Sequence, residues 1–419
     1  MEKAVPMKIL IVSKSDLDGG AARASYRLHK SLLASKVDSK MLVLNKKSDD
    51  FRVLSELSRF MLIINKVRSF FERVPLYLYR SRIKTPFSSA WVPFGNLVDR
   101  INRLEPDIVH LHWVSGGMLR LEELSRIHAP IVWTLHDMWV FTGGCHYNED
   151  CLKFNSKCGS CAILKSKVEY DLSRITWNRK NKAFSNINTL IFVGLSKWIC
   201  DEAKRSSLLF NKKVINLPNP IDTNIYKPLD SLTSRNLWDL PINKKLVLFG
   251  AMNATSSPRK GYLELCESLS KLASDNVELV IFGSSEPREP QRLHFKTHYL
   301  GKLCDDQSLV ALYSAVDVMV VPSLQENLSN AIMESLACGT PVVGFNIGGN
   351  GDLIIHKQTG YLARQGDSND LACGIEWVLS TVEYDKLCKN AREKVLKEFD
   401  SRVISKKYLD LYKDILNKE

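Results

Sequence analysis

The stretch Val318–Gly344, VMVVPSLQENLSNAIMESLACGTPVVG, carries the clearest structural pattern in this chain. A run of valines ends at Pro322-Ser323, a segment of helix-forming residues follows, and a turn leads into a second valine run. This order of strand, loop, helix, turn and strand is typical of a parallel α/β sheet. Because such sheets bind ligands beyond the carboxyl ends of their strands, the loop of this stretch is a candidate ligand site.

Two glutamates in the stretch stand eight positions apart, Glu326 in the loop and Glu334 in the predicted helix. At the pitch of an α-helix they fall about 80° apart, with Glu334 about two turns into the helix. The backbone N–H groups of Leu328, Ser329 and Asn330 would then point outward and could cradle a phosphate. Carboxylates beside such a cradle can receive hydroxyl groups, although glutamates on a helix also commonly face only water.

The same residues resemble the E-x7-E signature of retaining glycosyltransferase family 4, also called the glycosyl transferases group 1. The resemblance implies the GT-B fold, an α/β architecture with two Rossmann-like domains facing a central cleft. It also implies a nucleotide diphosphate sugar as donor. Carried over, Glu326 would lie beside the donor sugar, and Glu334 would hold the ribose hydroxyls of the nucleotide.

Length and composition agree with two soluble globular domains. The chain has 419 residues, of which 45% are hydrophobic and 25% charged, and this length is too great for one ordinary core. A formal charge of +12 predicts attraction to anionic partners such as acidic lipid, nucleic acid or phosphorylated substrates. Charge alone does not choose among these partners.

The first residues give an expectation about location. Met1–Pro6 reads as an extension before the first strand, and it lacks the charged and apolar regions of a signal peptide. No window approaches the roughly 20 apolar residues of a spanning helix. We therefore expect a cytoplasmic protein, either free or peripheral on the inner face of a membrane.

The first strand, near 7–12, is followed by a turn that contains Gly19 and Gly20. The pattern is not G-x-G-x-x-G, which argues against a dinucleotide fingerprint, but two adjacent glycines let a ligand approach the backbone closely. In the family that the chain resembles, this loop lies near the donor diphosphate and the acceptor.

Histidines end the next two predicted strands. His110 and His112 belong to DIVHLHW, and His136 follows IVWTL and precedes Asp137. Polar residues at strand ends line the ligand crevice of an open parallel sheet, although a single histidine there can equally be a structural hydrogen-bonding group. Both segments are similar to cleft motifs of the family's first domain, and the resemblance places His136 near the transferred sugar.

A basic and aromatic segment spans 59–84, RFMLIINKVRSFFERVPLYLYRSRIK. It carries seven basic residues and one acid, Glu72, and Pro75 divides it into two shorter helices. A helix of this kind can lie on an anionic membrane. The alternative is a helix whose apolar side is part of the core of the first domain.

Four cysteines, Cys145, Cys151, Cys158 and Cys161, lie within seventeen residues, the last two as C-x-x-C. This spacing can close a tetrahedral structural zinc site, in which His146 could replace one sulfur. Reduced thiols or a disulfide are the alternatives. Four thiolates would leave zinc no open position, so a catalytic role for such an ion is not expected.

The second domain supplies two cations. Arg259 and Lys260 stand where a predicted helix opens, and cations at a helix N-terminus can neutralise a diphosphate. In most of the family an arginine directly follows the strand glycine, where this chain has Ala251; Lys260 matches the family's lysine, and we assign the arginine's role to Arg259 by inference. The resemblance also implies that the backbone near Leu303 meets the nucleotide base. No catalytic metal is expected, because many relatives use basic residues instead.

The predicted organisation is a first domain over 7–216 with the cysteine-rich insertion near 145–161, a hinge over 217–229, a nucleotide-sugar-binding domain over 230–398 and a terminal helix over 399–419. The hinge prediction rests on prolines, asparagines and an aspartate in PNPIDTNIYKP. We expect the terminal helix to pack back on the first domain.

The leading functional prediction is a retaining hexosyltransferase-type enzyme that adds a sugar to a hydroxyl of a glycan or lipid-linked acceptor in surface polysaccharide or lipopolysaccharide biosynthesis. An epimerase of nucleotide-sugars or a phosphorylase of the same fold is one alternative. Another is a non-catalytic basic protein that binds membrane or nucleic acid. Nucleic acid is not an expected partner, since the sequence contains no recognisable nucleic-acid-binding motif.

Overall fold

A computed structural model describes residues 7–55, 59–92, 95–251, 254–273, 276–286, 293 and 295–418. The predicted extension Met1–Pro6 lies outside these residues, as do the side chains at 59–62 and 66 of the basic segment. The chain forms two compact units: unit 1 comprises Met1–Asn219 with Ser405–Glu419, and unit 2 comprises Pro220–Ile404.

Unit 1 is built on a parallel sheet of seven strands in the order β3-β2-β1-β4-β5-β6-β7. Its central strands are hydrophobic along their whole length because helices cover both faces of the sheet. The strands are β1 (Lys8–Ser15), β2 (Asp38–Asn45), β3 (Val53–Leu54), β4 (Ile108–Leu111), β5 (Ile131–Leu135), β6 (Leu190–Gly194) and β7 (Lys213–Asn216).

The order of the strands decides which loops of unit 1 come together. Strand β1 pairs with β4 in the register Ile9↔Ile108, and β4 pairs with β5 in the register Val109↔Ile131. The residues that follow β1, β4 and β5 therefore emerge side by side at one edge of the sheet. That edge carries the glycine turn and the predicted histidines.

Unit 2 repeats this plan with six parallel strands in the order β10-β9-β8-β11-β12-β13. The connection from β8 and the connection from β11 lie next to each other because these two strands are paired. The strands are β8 (Lys245–Gly250), β9 (Val277–Phe282), β10 (Thr297–Tyr299), β11 (Val318–Val321), β12 (Val342–Phe345) and β13 (Gly360–Ala363).

Helices and short 3₁₀ turns connect the strands. The α-helices are α1 (Gly20–Ala34), α2 (Arg59–Phe71), α3 (Leu97–Arg103), α4 (Leu172–Ser185), α5 (Lys197–Arg205), α6 (Ser231–Leu237), α7 (Tyr262–Leu269), α8 (Asp306–Ala315), α9 (Asn330–Ala337), α10 (Asn350–Leu353), α11 (Ser368–Ser380), α12 (Tyr384–Glu398) and α13 (Ser401–Leu416). In the described part of the chain no helix combines the length and the apolar composition needed to cross a membrane.

Each unit has its own hydrophobic core. In unit 1 the core surrounds Trp133 and Phe192, and in unit 2 it surrounds Val247 and Val320. The C-terminal helix α13 adds its aromatic side to unit 1, where Tyr408 and Tyr412 are fully buried. Burying large side chains such as these contributes about 2 kcal/mol each, so the last helix is part of the fold of unit 1.

Candidate active site

The clearest cluster of charged residues lies in unit 2, where the connections after β8 and β11 meet. The ammonium group of Lys260 donates to Oε2 of Glu326 at 2.7 Å. The guanidinium of Arg259 donates to the backbone oxygen of Gln325 at 2.7 Å and lies 3.9 Å from Glu326. The structure therefore brings together three residues that the sequence predicted from two stretches 66 positions apart.

The electrostatics of this cluster keep Glu326 ionised. Burial would raise the pKa of its carboxyl group, but Lys260 and Arg259 outweigh burial, and the pKa lies below its ordinary value. A carboxylate held in this way accepts hydrogen bonds and cannot donate one. It suits a role in receiving sugar hydroxyl groups.

A glycine lets the two cations approach the end of β11. Gly261 follows Lys260 with φ at +74°, and a Cβ at this position would lie 1.8 Å from the carbonyl oxygen of Pro322. The backbone of Leu324 also donates to the carbonyl oxygen of Arg259 at 2.9 Å. The loop that carries the cations is thus packed directly against the loop that carries Glu326.

Helix α9 begins later than predicted. Its N-cap is Ser329, whose hydroxyl accepts from the N–H of Ile332, so the helix starts at Asn330 and Leu328 precedes the cap. Glu334 consequently lies about one turn into the helix, and the prediction of about two turns was wrong. The reason is that a serine side chain caps the helix more effectively than the apolar residue before it.

Glu334 is buried, with 4% of its surface exposed. Its Oε2 accepts from the hydroxyl of Tyr313 at 2.9 Å, and burial together with Glu334 raises the pKa of Tyr313 well above its ordinary value. The tyrosine is therefore a firm donor that fixes the carboxylate. Sequence reasoning did not single out Tyr313, because only the packing of α8 on α9 brings it to Glu334.

Leu303 lies in an irregular segment after β10 and is partly buried. The preceding Gly301 accepts from the N–H of Gly283 at 2.7 Å, which ties this segment to the end of β9. Leu303 thus follows the carboxyl end of the sheet of unit 2, the edge at which β11 also ends. Its predicted contact with a nucleotide base stays a prediction.

In unit 1 the glycine turn begins a helix. Gly19 is the N-cap of α1 with φ at +102°, and the helix starts at Gly20 without a side-chain cap. The turn is held by the buried carboxylate of Asp16, which accepts from the N–H groups of Leu17 at 2.9 Å and Ser48 at 2.8 Å. Sequence reasoning missed Asp16, although its position directly after β1 was a usable signal.

The predicted histidines lie together at the same edge of unit 1. Nδ1 of His112 and Nε2 of His136 are 2.8 Å apart. His110 is buried between the hydroxyl of Tyr412 and the hydroxyl of Thr134, each at 2.7 Å, which is a structural position. Burial lowers the pKa of His110 to about 3 and that of His136 to about 4, so both rings are neutral near pH 7.

A second hydrogen-bonded group adjoins His136. Asp137 accepts from the indole N–H of Trp113 at 3.0 Å and pairs with Nδ1 of His146 at 2.7 Å. The other ring nitrogen of His146 lies 3.0 Å from the hydroxyl of Ser88. These contacts occupy His146 at both nitrogens, so it is not available to replace a cysteine as a zinc ligand.

The four cysteines of the insertion line one cavity of about 20 Å³ and are all reduced. Burial raises the pKa of Cys145 and that of Cys158 to about 12. Within the described ranges, no three histidine, cysteine, aspartate or glutamate side chains are already placed as the ligands of a metal ion. The structure gathers the predicted residues around one space, and the zinc ion itself stays a prediction.

The chain is similar in sequence to known glycosyltransferases. The sequence profile of "Glycosyltransferase Family 4" matches residues 18–225, and that of "Glycosyl transferases group 1" matches residues 243–381. An uncharacterised glycosyltransferase of Methanocaldococcus jannaschii is 24% identical over 73% of this chain and 75% of its own length. An N,N'-diacetylbacillosaminyl-diphospho-undecaprenol alpha-1,3-N-acetylgalactosaminyltransferase of Campylobacter jejuni is 28% identical over 42% of this chain and 47% of its own length.

Solved structures show the same fold. A sucrose-phosphate synthase from Thermosynechococcus elongatus matches with a TM-score of 0.68 at 18% identity, over 99% of this chain and 100% of that one. The Anabaena protein HepE in complex with UDP-glucose matches with a TM-score of 0.65 at 16% identity, over 97% of this chain and 100% of that one. The two family profiles and the shared fold define a glycosyltransferase of the GT-B class. The chain belongs to the group 1, family 4 glycosyltransferases, and both the predicted family and the predicted fold are confirmed.

Proposed function

We propose that this chain is a retaining enzyme that transfers a sugar, of the hexose type, from a nucleotide diphosphate sugar to a hydroxyl group of a glycan or lipid-linked acceptor in surface polysaccharide biosynthesis. The observation that carries the proposal is the meeting of Lys260, Arg259 and Glu326 one loop away from the buried Glu334. Cations beside fixed carboxylates suit a ligand that presents both phosphates and hydroxyl groups.

The departing nucleoside diphosphate gains negative charge as the bond to the sugar breaks. Lys260 and Arg259 would stabilise that charge, together with backbone N–H groups at Leu328, Ser329 and Asn330. Lys260 can do so while it contacts Glu326, because an ammonium group has three donors. This arrangement acts on charge that develops in the transition state, and it therefore accelerates the reaction rather than only binding the donor.

Hydroxyl groups would be received by the carboxylates. We assign the ribose hydroxyl groups to Glu334. The hydrogen bond from Tyr313 holds the carboxylate of Glu334 in one orientation. Glu326 and His136 are assigned to the transferred sugar, the glycine turn at Gly19 and Gly20 to the diphosphate and acceptor side, and Leu303 to the base. UDP-glucose is a suitable first donor to try, since HepE was solved with it.

A thermal-shift screen tests this donor site. The chain would be heated with UDP-glucose, UDP-N-acetylglucosamine, ADP-glucose or GDP-mannose, and with the matching nucleoside diphosphates. One nucleotide should raise the melting temperature, because a ligand that binds only the folded state stabilises it. A set of unchanged melting temperatures would contradict the proposal. If the chain converts a nucleotide-sugar into an isomeric nucleotide-sugar with no acceptor present, that result would favour an epimerase instead.

We also propose that unit 1 binds an anionic membrane through helix α2 and the turn after it. The polar side of this segment faces inward: Asn65, Arg68 and Glu72, which directly follows the helix, are buried. Glu72 accepts from the N–H groups of Ser89 and Ala90 at 2.8 and 2.7 Å. Most of the apolar side chains described in this helix are exposed, which argues against a helix with an apolar side in the core. The exposed side chains, called here the α2 ridge, are Ile63, Val67, Phe70, Phe71, Val74, Tyr77 and Leu78.

Charge supports an anionic membrane as the partner of the α2 ridge. Arg73, Arg80 and Lys84 are exposed beside it, and the one acid of the segment is the buried Glu72. An apolar surface flanked by cations fits the interface of an anionic bilayer, where each cation adds about 1 kcal/mol. A lipid-linked acceptor, such as the one in the name of the Campylobacter jejuni relative, would be presented at that surface.

Vesicle sedimentation tests the membrane contact. Vesicles of phosphatidylglycerol should carry the chain to the pellet, and vesicles of phosphatidylcholine should carry much less. The double substitution Phe70→Ser with Leu78→Ser should abolish binding, whereas Phe51→Ser, at another exposed phenylalanine of unit 1, should not. Equal sedimentation of the two variants would contradict the proposal.

Finally, we propose that the four-cysteine cavity takes one structural zinc ion. The support is that four thiols line a space of about 20 Å³, close to the volume of one small occupant. Zinc would have to turn these side chains into a ligand set and remove their protons. Elemental analysis of protein purified without chelator should find one zinc per chain, lost in Cys158→Ser and retained in Cys373→Ser, which changes an exposed cysteine outside the cavity. Protein that is free of zinc and equally stable would contradict this.

A further inference from the structure

Three histidine rings at the carboxyl edge of the sheet of unit 1 contact one another in a row. His112 follows β4 and His136 follows β5, and their facing ring nitrogens are 2.8 Å apart. On its other side the ring of His112 packs on the ring of His110, with ring centres 4.4 Å apart. His110 is itself held at both nitrogens by Tyr412 and Thr134. His110 therefore holds the ring of His112 in place on the side that faces away from His136.

Each of these three imidazole rings carries one proton on its two nitrogens near pH 7. Burial lowers the pKa of His110 and of His136, and it lowers that of His112 well below the ordinary value. A neutral imidazole has one donor nitrogen and one acceptor nitrogen. The contact between His112 and His136 thus holds one proton, and the position of that proton decides the tautomer of both rings.

The shared proton can be donated by His112 or by His136, and the other ring nitrogen of His112, Nε2, decides which of them donates it. Its Nε2 is buried and has no hydrogen-bond partner among the described residues. If His136 donated, the proton of His112 would sit on Nε2 as an orphaned buried N–H group, which is rare in proteins. If His112 donates from Nδ1, its Nε2 carries only a lone pair. A buried lone pair without a donor is less unfavourable than a buried N–H group without an acceptor.

The geometry points to His112 as a positioning residue, which donates from Nδ1 to Nε2 of His136 and so holds the proton of His136 at Nδ1. This inference rests on the proposed transfer reaction, in which His136 contacts the transferred sugar. His136 is then held as one neutral tautomer with its ring at a fixed angle. A group placed in this way orients a hydroxyl and takes no part in proton transfer.

Nitrogen-15 NMR of the imidazole rings in the wild-type chain tests the tautomers directly. The signals would be assigned by comparison with the variants His112→Asn and His136→Gln. We expect His112 and His136 each to be protonated at Nδ1 and bare at Nε2. A spectrum in which His136 carries its proton at Nε2 would overturn the inference. This measurement needs no substrate, so it stands even if the proposed reaction fails.

Kinetics test the consequence for the reaction. Release of nucleoside diphosphate would be measured with the nucleotide-sugar that stabilises the wild-type chain. The variant His112→Leu should lose about 10- to 100-fold in kcat with little change in the KM of the donor, because a misplaced group slows chemistry without weakening contacts elsewhere. The variant His112→Asn keeps an N–H donor near the position of Nδ1 and should stay within about threefold of the wild type.

The outcomes separate the inference from the proposed function. A kcat in His112→Leu equal to that of the wild type would overturn the positioning role. If His112→Leu fails to fold, the tautomers of the wild type and the activity of His112→Asn still test the positioning role of His112. A wild-type chain that binds and consumes no nucleotide-sugar would contradict the proposed function alone, since the tautomers would remain measurable.

Discussion

At the scale of single residues, Glu334 is a carboxylate with little freedom. Its side chain is buried and accepts from Tyr313 at 2.9 Å. A buried carboxylate that is fixed by a neutral donor can accept two hydroxyl groups at a set distance, as a ribose requires. Its proposed role therefore concerns binding of the donor more than the chemical step.

The substitution Glu334→Gln tests that role. The amide keeps the size of the side chain but loses the charge, and charge-assisted hydrogen bonds contribute about 1.5–3 kcal/mol. We expect the Kd for the nucleoside diphosphate, measured by calorimetry, to rise about 10- to 100-fold, with a melting temperature near that of the wild type. Glu383→Gln, at an exposed glutamate of unit 2, is the matched control. Unchanged affinity in Glu334→Gln would contradict the assignment.

Buried histidines predict sensitivity to acid. His29 is fully buried against the hydroxyl of Ser39, and burial lowers its pKa to about 4. The unfolded chain binds a proton on this ring below about pH 6.5, and the folded chain does so only near pH 4. Between these values the unfolded state holds more protons, so this group makes stability fall as the pH falls.

Chemical denaturation at several pH values measures this effect. The free energy of unfolding of the wild type should decrease from pH 6.5 to pH 4.5, and His29→Gln should show a shallower decrease. His128→Gln, at an exposed histidine of the same unit, should keep the slope of the wild type. A slope in His29→Gln as steep as that of the wild type would show that His29 is already protonated in the folded chain.

The sequence contained the charged residues of the donor site but not their contacts. Spacing and resemblance selected Glu326, Glu334 and Lys260. The partner of Glu334, Tyr313, lies 21 positions away on another helix, and no local pattern predicts how two helices pack. The same holds for His112 and His136, which are joined only because β4 and β5 are neighbours in the sheet.

At the scale of elements, helix α2 shows the limit of what composition predicts. The basic and aromatic residues predicted a helix that lies on a membrane or packs its apolar side into the core, and composition does not say which side faces the protein. The structure buries the polar side, where Arg68 donates to the carbonyl oxygen of Met118 at 2.9 Å. Those buried polar contacts could not be read from the sequence, since their partners come from distant loops.

Gly261 supports a prediction about the loop that carries the cations. Gly261→Ala would place a Cβ in the left-handed region and 1.8 Å from the carbonyl oxygen of Pro322, so the backbone must shift. Gly366 has a similar φ of +70° with nothing within 4 Å of a Cβ. Gly366→Ala should therefore cost only the conformational energy of about 1 kcal/mol.

Differential scanning calorimetry of the two variants makes this comparison. Gly261→Ala should lower the melting temperature by clearly more than Gly366→Ala, for which a decrease of about 2–4 °C is expected. Similar decreases in the two variants would mean that the loop at Lys260 adapts freely and is not fixed against β11.

At the scale of the whole molecule, the chain repeats one α/β plan in two units, and the last helix returns to the first unit. Two Rossmann-like domains could be predicted because both valine-rich strands and strand-end motifs are local signals. Which strand neighbours which, and hence which loops form a site, is a property of the whole sheet. The donor, acceptor and linkage depend on such loops.

Release of nucleoside diphosphate from a nucleotide-sugar tests the central proposal most directly. The wild-type chain would be incubated with the donor that raises its melting temperature, together with phosphatidylglycerol vesicles carrying bacterial lipid-linked glycans. We predict continuous release by the wild type and a decrease of at least about 100-fold in Lys260→Ala, because one stabilising group for the leaving diphosphate is removed. Lys386→Ala, at an exposed lysine of unit 2, should keep full activity. Equal release by the wild type and by Lys260→Ala would contradict the proposed site.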